Sequence, residues 1–334
     1  MSGPPIPGLA LRNPVLTAAG CGGTGRELAA YTPLDALGAF TTRTITLNPR
    51  AGGPAPRVVE TPSGLVHSTG CPNPGLEGFL ATELPPLVQA GVRVVVSVAA
   101  ASVQEYAELV RRLGRAPGIA AVEVNLSAPD AAAHGLFDVR EPFHVTSVLT
   151  AVLRELPPGV PVLAKLRPDV LRVAEAARTA AEAGAVAVVV GGPQPAALPD
   201  GRAAGLSGPA IRPLALRCVT EVRAALPSLP VIGAGGIATA ADARDFLRAG
   251  ATAVQVGTAL LHDPTTAGRL VAALASDGDE TADAADAANT ANTANTARGD
   301  ATRDAAGHTG PAPEPPARPA RPVQINTDPT QEHR

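Results

Sequence analysis

Residues 230–258 read PVIGAGGIATAADARDFLRAGATAVQVGT. Two short apolar runs, Pro230–Gly233 and Ala253–Val256, flank a segment with helical spacing, and glycine closes each run, as Gly233-Ala-Gly-Gly236 and as Gly257-Thr258. Apolar runs of this length, bounded by turn residues and separated by a helical pattern, mark parallel strands buried on both faces. Similar runs lie at Pro14–Ala18, Ala39–Thr44, Val92–Val98, Ala121–Leu126, Pro161–Lys165 and Ala187–Val190, which brings the candidate strands to eight. The clearest helix between them is Ser102 to Leu113, where Ser102 and Glu105 set out a capping box ahead of Leu109, Val110 and Leu113. Eight alternating units predict an α/β fold, a single (β/α)8 TIM barrel, whose usual size of about 250 residues fits the chain before its tail. An open doubly wound sheet is the alternative. It is disfavoured because no strand runs into a Gly-x-Gly-x-x-Gly turn with an acidic residue about 20 positions later.

One stretch breaks the alternation. Asn48 to Gly75 is rich in glycine and proline and too long for an ordinary connection, and an insertion at the C-terminal ends of barrel strands usually helps to build the site. From about residue 276 the composition turns to Ala, Asp, Thr, Asn and Pro, with the near-repeat Ala288-Asn-Thr-Ala-Asn-Thr-Ala-Asn-Thr-Ala297. Such a segment cannot bury enough apolar surface to offset an ordering entropy of roughly 1–2 kcal/mol per residue. The expected organisation is therefore a barrel over 1–275 and a disordered tail over 276–334.

Charge and composition exclude several classes of function. With 27 basic and 30 acidic residues the formal charge is −3, and no stretch gathers lysine and arginine beside aromatics, so nucleic acid is not an expected partner. The longest apolar runs, such as Val94–Val96 and Val186–Val190, fall far short of the ~20 residues that span a bilayer, so no membrane association is expected. Met1 to Asn13 shows neither the basic nor the continuous apolar region of a secretory leader. Cys21, Cys71 and Cys218 are odd in number, widely spaced and without a Cys-x-x-Cys pair, against a disulfide framework or a metal site. A cytoplasmic location is the expectation.

In a barrel, catalytic groups cluster just past the strand ends. The glycines after the seventh and eighth candidate strands stand where barrels hold a phosphate by backbone N–H groups, although glycine also serves simply as a turn residue there. Lys165 ends the fifth strand, and a lysine in a barrel mouth is costly to bury unless it meets an anion, a flavin ring or a carbonyl substrate; the plainer alternative is a side chain snorkelling to solvent. Asn125, at the end of the fourth, offers both a donor and an acceptor.

These residues belong to a longer series: Asn13-Pro-Val, Thr44-Ile-Thr, Pro49-Arg50, Pro56-Arg57, Glu60-Thr-Pro-Ser-Gly64, Asn73-Pro-Gly75, Val124-Asn-Leu-Ser127, Lys165-Leu, Gly205-Leu-Ser-Gly-Pro-Ala-Ile211, Gly233-Ala-Gly-Gly-Ile237 and Gln255-Val-Gly-Thr258. In that order the series resembles class 1 dihydroorotate dehydrogenases, subtype 1B, over nearly the whole chain before the tail. The resemblance implies a β/α barrel with FMN at the strand C-termini. By position it puts Gly208, Gly235, Gly236, Gly257 and Thr258 at the FMN phosphate and ribityl chain, with Lys165 and Asn125 facing the isoalloxazine ring. Ala19, Arg43, Thr44 and Ser97 take further flavin-contact positions. It also implies a homodimer, and the subtype implies a partner subunit carrying FAD and an iron–sulfur cluster.

The substrate half departs from the family pattern. Where the family has Asn-x-Ser-Cys-Pro-Asn, whose cysteine takes a proton from dihydroorotate while hydride passes to the flavin, this chain reads Asn125-Leu-Ser-Ala128-Pro-Asp130. The family lysine after strand 2 is Arg43, the asparagine of Asn-x-x-Gly is His67, and the Asn-Thr pair after strand 6 is Gly192-Pro193. Arg43 still offers a cationic fork suited to the carboxylate of a small anionic substrate. Arg43, His67, Ser68, Thr69, Gly70, Cys71 and Asn125 form the implied substrate pocket. His67, Cys71 and Ser127 are the candidate replacements for the missing base, the first two titrating nearer neutrality than serine. Cys21 and Cys218 read as packing residues, and His134, His144 and His262 as surface or structural. A Schiff-base lyase using Lys165 on a phosphorylated substrate, and a flavin-binding protein without turnover, are the alternatives.

Overall fold

A computed structural model describes residues 3–128, 132–137, 139 and 141–276 of the chain. The expected tail and Asp130 lie outside the described residues. In chain order the elements are β1 Val15–Thr17, α1 Arg26–Ala29, β2 Phe40–Thr41, β3 Val58–Thr61, β4 Gly64–His67, α2 Gly75–Gly78, a π-helical turn Phe79–Glu83, α3 Leu84–Gln89, β5 Val94–Val98, α4 Val103–Leu113 and β6 Ile119–Asn125. There follow α5 Pro142–Glu155, β7 Val162–Leu166, α6 Val173–Glu182, β8 Ala187–Val190, β9 Gln194–Ala197, β10 Ala203–Ser207, α7 Arg212–Ala225, β11 Val231–Ala234, α8 Ala240–Arg248, β12 Ala253–Val256 and α9 Thr258–His262. A last helical stretch covers 266–276.

The eight runs read as strands form one parallel sheet in the order β1-β12-β11-β8-β7-β6-β5-β2. The parallel bridge Leu16–Ala39 brings its two ends together into a nearly closed barrel. Strand β2 is short because its ladder to β5 breaks after Thr41 and resumes only at the Ile45–Val98 bridge.

Side chains alternate between the two faces of each strand, and the apolar core divides accordingly. Val15, Phe40, Val94, Val96, Val122, Val124, Val162, Val188 and Val254 face the helices. Leu16, Ala39, Val95, Ala121, Leu163, Ala187, Val189, Ile232 and Ala253 fill the barrel, joined by Ile6 and Leu9 from the N-terminal segment. That segment covers the N-terminal face: Gly3 N donates to Ala251 O at 3.2 Å and Thr252 Oγ1 to Pro4 O at 2.7 Å, both just ahead of β12.

The Asn48–Gly75 stretch is more ordered than its composition predicts. It holds the hairpin β3–β4, which extends through β10 to β9 in an antiparallel sheet of order β3-β4-β10-β9. This sheet is half-exposed, so its strands lack the apolar runs that reveal the barrel strands. Gly64 is needed where the hairpin meets β10, since a Cβ there would lie 2.0 Å from Ser207 O.

Side chains set the starts of two helices, α4 and α8. Ser102 Oγ accepts from Glu105 N at 3.1 Å as expected, but Glu105 reaches back to Ala101 N at 2.8 Å instead of Ser102 N, so the box at α4 is open on one side. The complete box lies at α8, where Thr239 and Asp242 cap one another; such caps contribute about 1 kcal/mol each.

Candidate active site

Above the apolar layers the barrel interior turns polar. The alternation that puts Ala121 inside also puts Glu123 and Asn125 inside, and on β7 it puts Lys165 above Leu163. Glu123, Lys165, Gln255, Ser97 and Thr41 are all buried. A charge or amide in that position costs free energy unless it is paired, and these groups pair with one another. Lys165 Nζ donates to Gln255 Oε1 at 2.7 Å, and Gln255 Nε2 donates to Glu123 Oε2 at 2.6 Å. Glu123 Oε1 lies 3.8 Å from Lys165 Nζ and has no hydrogen-bond partner. Nearby, burial pushes the Cys21 thiol up to about 11 against the pull of Lys165, so it stays protonated and adds no charge.

A second set adjoins the first through the Asn125–Lys165 register. Asn125 Nδ2 donates to Thr44 Oγ1 at 3.2 Å, and Thr44 Oγ1 lies 3.1 Å from Ser97 Oγ. Ser127 donates to Asn125 Oδ1 through both its N and its Oγ, each at 3.1 Å, which fixes the orientation of the amide. The Ser127 hydroxyl is thus committed to an amide oxygen that cannot take up its proton.

The glycines expected to hold a phosphate meet in space. A Cβ on Gly236 would lie 2.6 Å from Arg212 Cβ and 2.9 Å from Gly208 O; one on Gly208 would lie 2.7 Å from Gly64 Cα. Both residues have positive φ, +73° and +99°. Thr258 Oγ1 donates to Ser207 Oγ at 2.9 Å beside them, and a Cβ on Gly257 would stand 3.3 Å from Ala18 Cβ and Cys21 Sγ, at the turn that carries Ala19. Gly235, with φ +114°, leads into this cradle. Bare backbone from the β3–β4, β10–α7 and β11–α8 turns therefore converges beside α9.

Apart from Asn125, the residues expected to contact substrate lie at the end of β4 or on loops. His67 ends β4, opposite Gly205 and Val58. Ser68 Oγ lies 3.0 Å from His134 Nε2, Gly53 N donates to Thr69 O at 2.8 Å, Arg50 Nε donates to Gly70 O at 3.2 Å and Asn73 Nδ2 donates to Cys71 O at 2.9 Å. Arg50 also donates to His134 O. These contacts pin the 67–71 loop onto the loop that follows β6. There Cys71 and Ala128 both pack against the small buried cluster formed by Ala99 and Leu136. Arg43 stands apart, with Nε 3.6 Å from Glu83 Oε2 at the end of the π-helical turn. Burial pushes the Glu83 carboxyl above its ordinary range, and Arg43 only partly offsets this.

Glu123, Gln255 and Thr41 were not singled out from the sequence. Stepping two residues back along the strand from Asn125 marks Glu123 as a charge on the interior face, and stepping two forward from Ala253 marks Gln255. Among the described residues no cluster of His, Cys, Asp and Glu could hold a metal, and no helix is long and apolar enough to cross a membrane.

Comparison with known proteins agrees with this geometry. The dihydroorotate dehydrogenase family profile matches residues 4–277. The chain is 45% identical, over 81% of its length and 89% of the relative, to the protein of Desulforudis audaxviator named dihydroorotate dehydrogenase B (NAD(+)), catalytic subunit. The Geobacter sulfurreducens protein of the same name is 42% identical over 80% of this chain and 90% of its own. A crystal structure of Eimeria tenella DHODH with ferulenol superposes with a TM-score of 0.69 at 22% identity, covering 84% of this chain and 85% of that one, a likeness of fold.

Proposed function

This chain belongs to the dihydroorotate dehydrogenase family, and on that premise we propose that it is an FMN-dependent oxidoreductase that converts (S)-dihydroorotate to orotate, or oxidises a closely related small anion. One observation carries the reading. A buried lysine stands in the barrel mouth, in the same face as a cradle of bare backbone at Gly208, Gly236 and Gly257. The donor set fits FMN. The cradle leaves main-chain groups free of Cβ atoms for a phosphate, and Lys165, Asn125, Thr44 and Ser97 supply one cation and several hydrogen-bonding groups for the polar edge of a flavin. Bound there, the flavin would supply the hydride acceptor of a CH–CH oxidation.

The protein's own residues do the rest. Lys165 offsets negative charge that builds up beside it, and Ser127 holds the Asn125 amide in the orientation that presents Nδ2 toward Thr44. Cys71 is the first candidate to take the substrate proton; its packing beside Ala128 supports this, whereas Ser127 is committed to Asn125. His67, on the flanking sheet, is the second candidate base. Arg43 is the cation for the substrate carboxylate. The subtype of the relatives supports a partner subunit with FAD and an iron–sulfur cluster as electron acceptor, a homodimeric catalytic unit and a cytoplasmic location.

Anaerobic mixing of the flavin-loaded protein with L-dihydroorotate tests the reading. Loss of the visible flavin absorbance within seconds is the expected result. A protein that stays yellow has kept the scaffold and changed the substrate, and one that takes up no FMN overturns the flavin assignment itself.

A further inference from the structure

The buried polar cluster contains a charge that proton and hydride transfer do not require. Glu123 is 0% exposed, Gln255 1% and Lys165 6%. The three come from β6, β12 and β7, so closure of the barrel alone brings them together. A carboxylate at the Glu123 position is costly to bury, and a leucine or glutamine of similar volume would avoid that cost. Its two oxygens are used unequally. Oε2 accepts from Gln255 Nε2 at 2.6 Å, while Oε1 has no hydrogen-bond partner and faces Lys165 Nζ at 3.8 Å. Gln255 is the coupling piece. Its amide places oxygen on the ammonium and nitrogen on the carboxylate, and the flipped amide would set donor against donor and acceptor against acceptor. The two charges therefore select one orientation of Gln255, and Gln255 in turn fixes where the ammonium stands. The nitrogen of the same amide also reaches Thr41 Oγ1 at 3.4 Å, which ties the arrangement to β2. The neighbouring thiol of Cys21 is neutral and leaves the balance at one positive and one negative charge.

Resting on the flavin reading above, we propose that Glu123 is a positioning residue that acts through Gln255. It holds the Lys165 ammonium at one point in the barrel mouth and cancels most of its charge, and so it sets how readily the bound flavin accepts negative charge. The lysine alone would make the flavin more electron-withdrawing than the protein allows; the carboxylate beneath it limits that effect. A purely structural Glu123 would support packing without changing the electrophilicity of the flavin.

Sulfite titration of the flavin-loaded protein, read as loss of visible flavin absorbance, reports that electrophilicity without turnover, because sulfite adds to the oxidised ring and its affinity rises with positive charge nearby. Glu123→Gln keeps the volume and an acceptor for Gln255 but removes the negative charge, and it should tighten sulfite binding at least tenfold. Gln255→Met leaves both charges but lets the ammonium collapse onto Glu123 Oε1, and it should weaken sulfite binding at least threefold. Lys165→Met sets the floor, with binding weaker than in either. Affinities within twofold of the parent in both Glu123→Gln and Gln255→Met, with FMN bound, overturn the proposal. So does weaker binding in Glu123→Gln, and so does loss of FMN from both variants, since the cluster would then build the site and not tune it. If only Glu123→Gln fails to fold, Gln255→Met decides alone. A parent protein that takes up no FMN fails the flavin reading before any variant is made.

Discussion

The strand-borne and loop-borne halves of the site are built differently. Lys165, Glu123, Asn125, Gln255 and Ser97 stand on β5, β6, β7 and β12, where main-chain ladders fix each Cα and the side chains hydrogen-bond to one another. His67, Ser68, Thr69, Gly70, Cys71 and Ala128 lie at or beyond strand ends, held mainly by carbonyl and side-chain contacts between two loops. Arg43, His67, Ala128 and Gly192-Pro193, where the sequence reading expects departures from the family pattern, all fall at strand ends or in loops. A change in the barrel layer must satisfy partners on several strands at once, whereas a change on a loop disturbs one local set of bonds. A substitution on the loops is therefore easier to accommodate than one in the strand layer.

The strongest way to break this comparison is Lys165→Met. Removing Lys165, the one buried cation among the described residues, should slow anaerobic flavin reduction by about 100-fold or more while the fold persists, the range typical for a lost electrostatic stabiliser. A rate within fivefold of the parent would mean that the strand layer does not face the chemistry. Next is Gly236→Ala, where a methyl group would lie 2.6 Å from Arg212 Cβ at a φ of +73°. FMN affinity, measured by fluorescence recovery on dilution, should fall by about tenfold or more, given the steric and backbone strain.

The loop half gives graded effects, the first on the scale of the strand layer and the rest smaller. Cys71→Ala should lower the rate of flavin reduction by about 10²-fold with FMN retained, the usual scale for losing a general base, and His67→Ala by less than tenfold. The reverse order would move the base to the flanking sheet. Ala128→Cys, in the Cys71→Ala background, should recover part of the loss if the two side chains serve one spot. Arg43→Ala should weaken orotate binding by about tenfold without releasing flavin, the cost of one charge-assisted hydrogen bond to a carboxylate. The smallest effect is on stability. Ser68→Ala removes the hydrogen bond to His134 and should lower unfolding free energy by about 1 kcal/mol in urea denaturation.

Much of this was legible in the chain. The eight apolar runs marked the barrel strands because a strand buried on both faces must be apolar throughout, and the ends read from sequence fall within a few residues of the observed ones. Gly233-Ala-Gly-Gly236 and Gly257 stood out in the sequence as turn residues closing strands, and the positive φ of Gly235 and Gly236 suits such turns. The hairpin β3–β4 and its partners β9 and β10 were not, because a half-exposed sheet needs no apolar run and its glycines and prolines read as loop. The one-sided cap at α4 was missed for a related reason: which backbone N–H a glutamate reaches depends on the path of the chain into the helix.

By itself, then, the sequence determined the barrel class, the order of its strands along the chain and the identity of the residues at each strand end, because alternation and turn chemistry act over a few residues. Only the tertiary structure decided which strand ends meet. Lys165 and Gln255 are 90 residues apart, and Gln255 and Glu123 are 132 apart. No local pattern links such positions; the closing of the barrel does, by bringing β12 across from β6 and β7 and leaving a buried carboxylate, amide and ammonium with one another as partners.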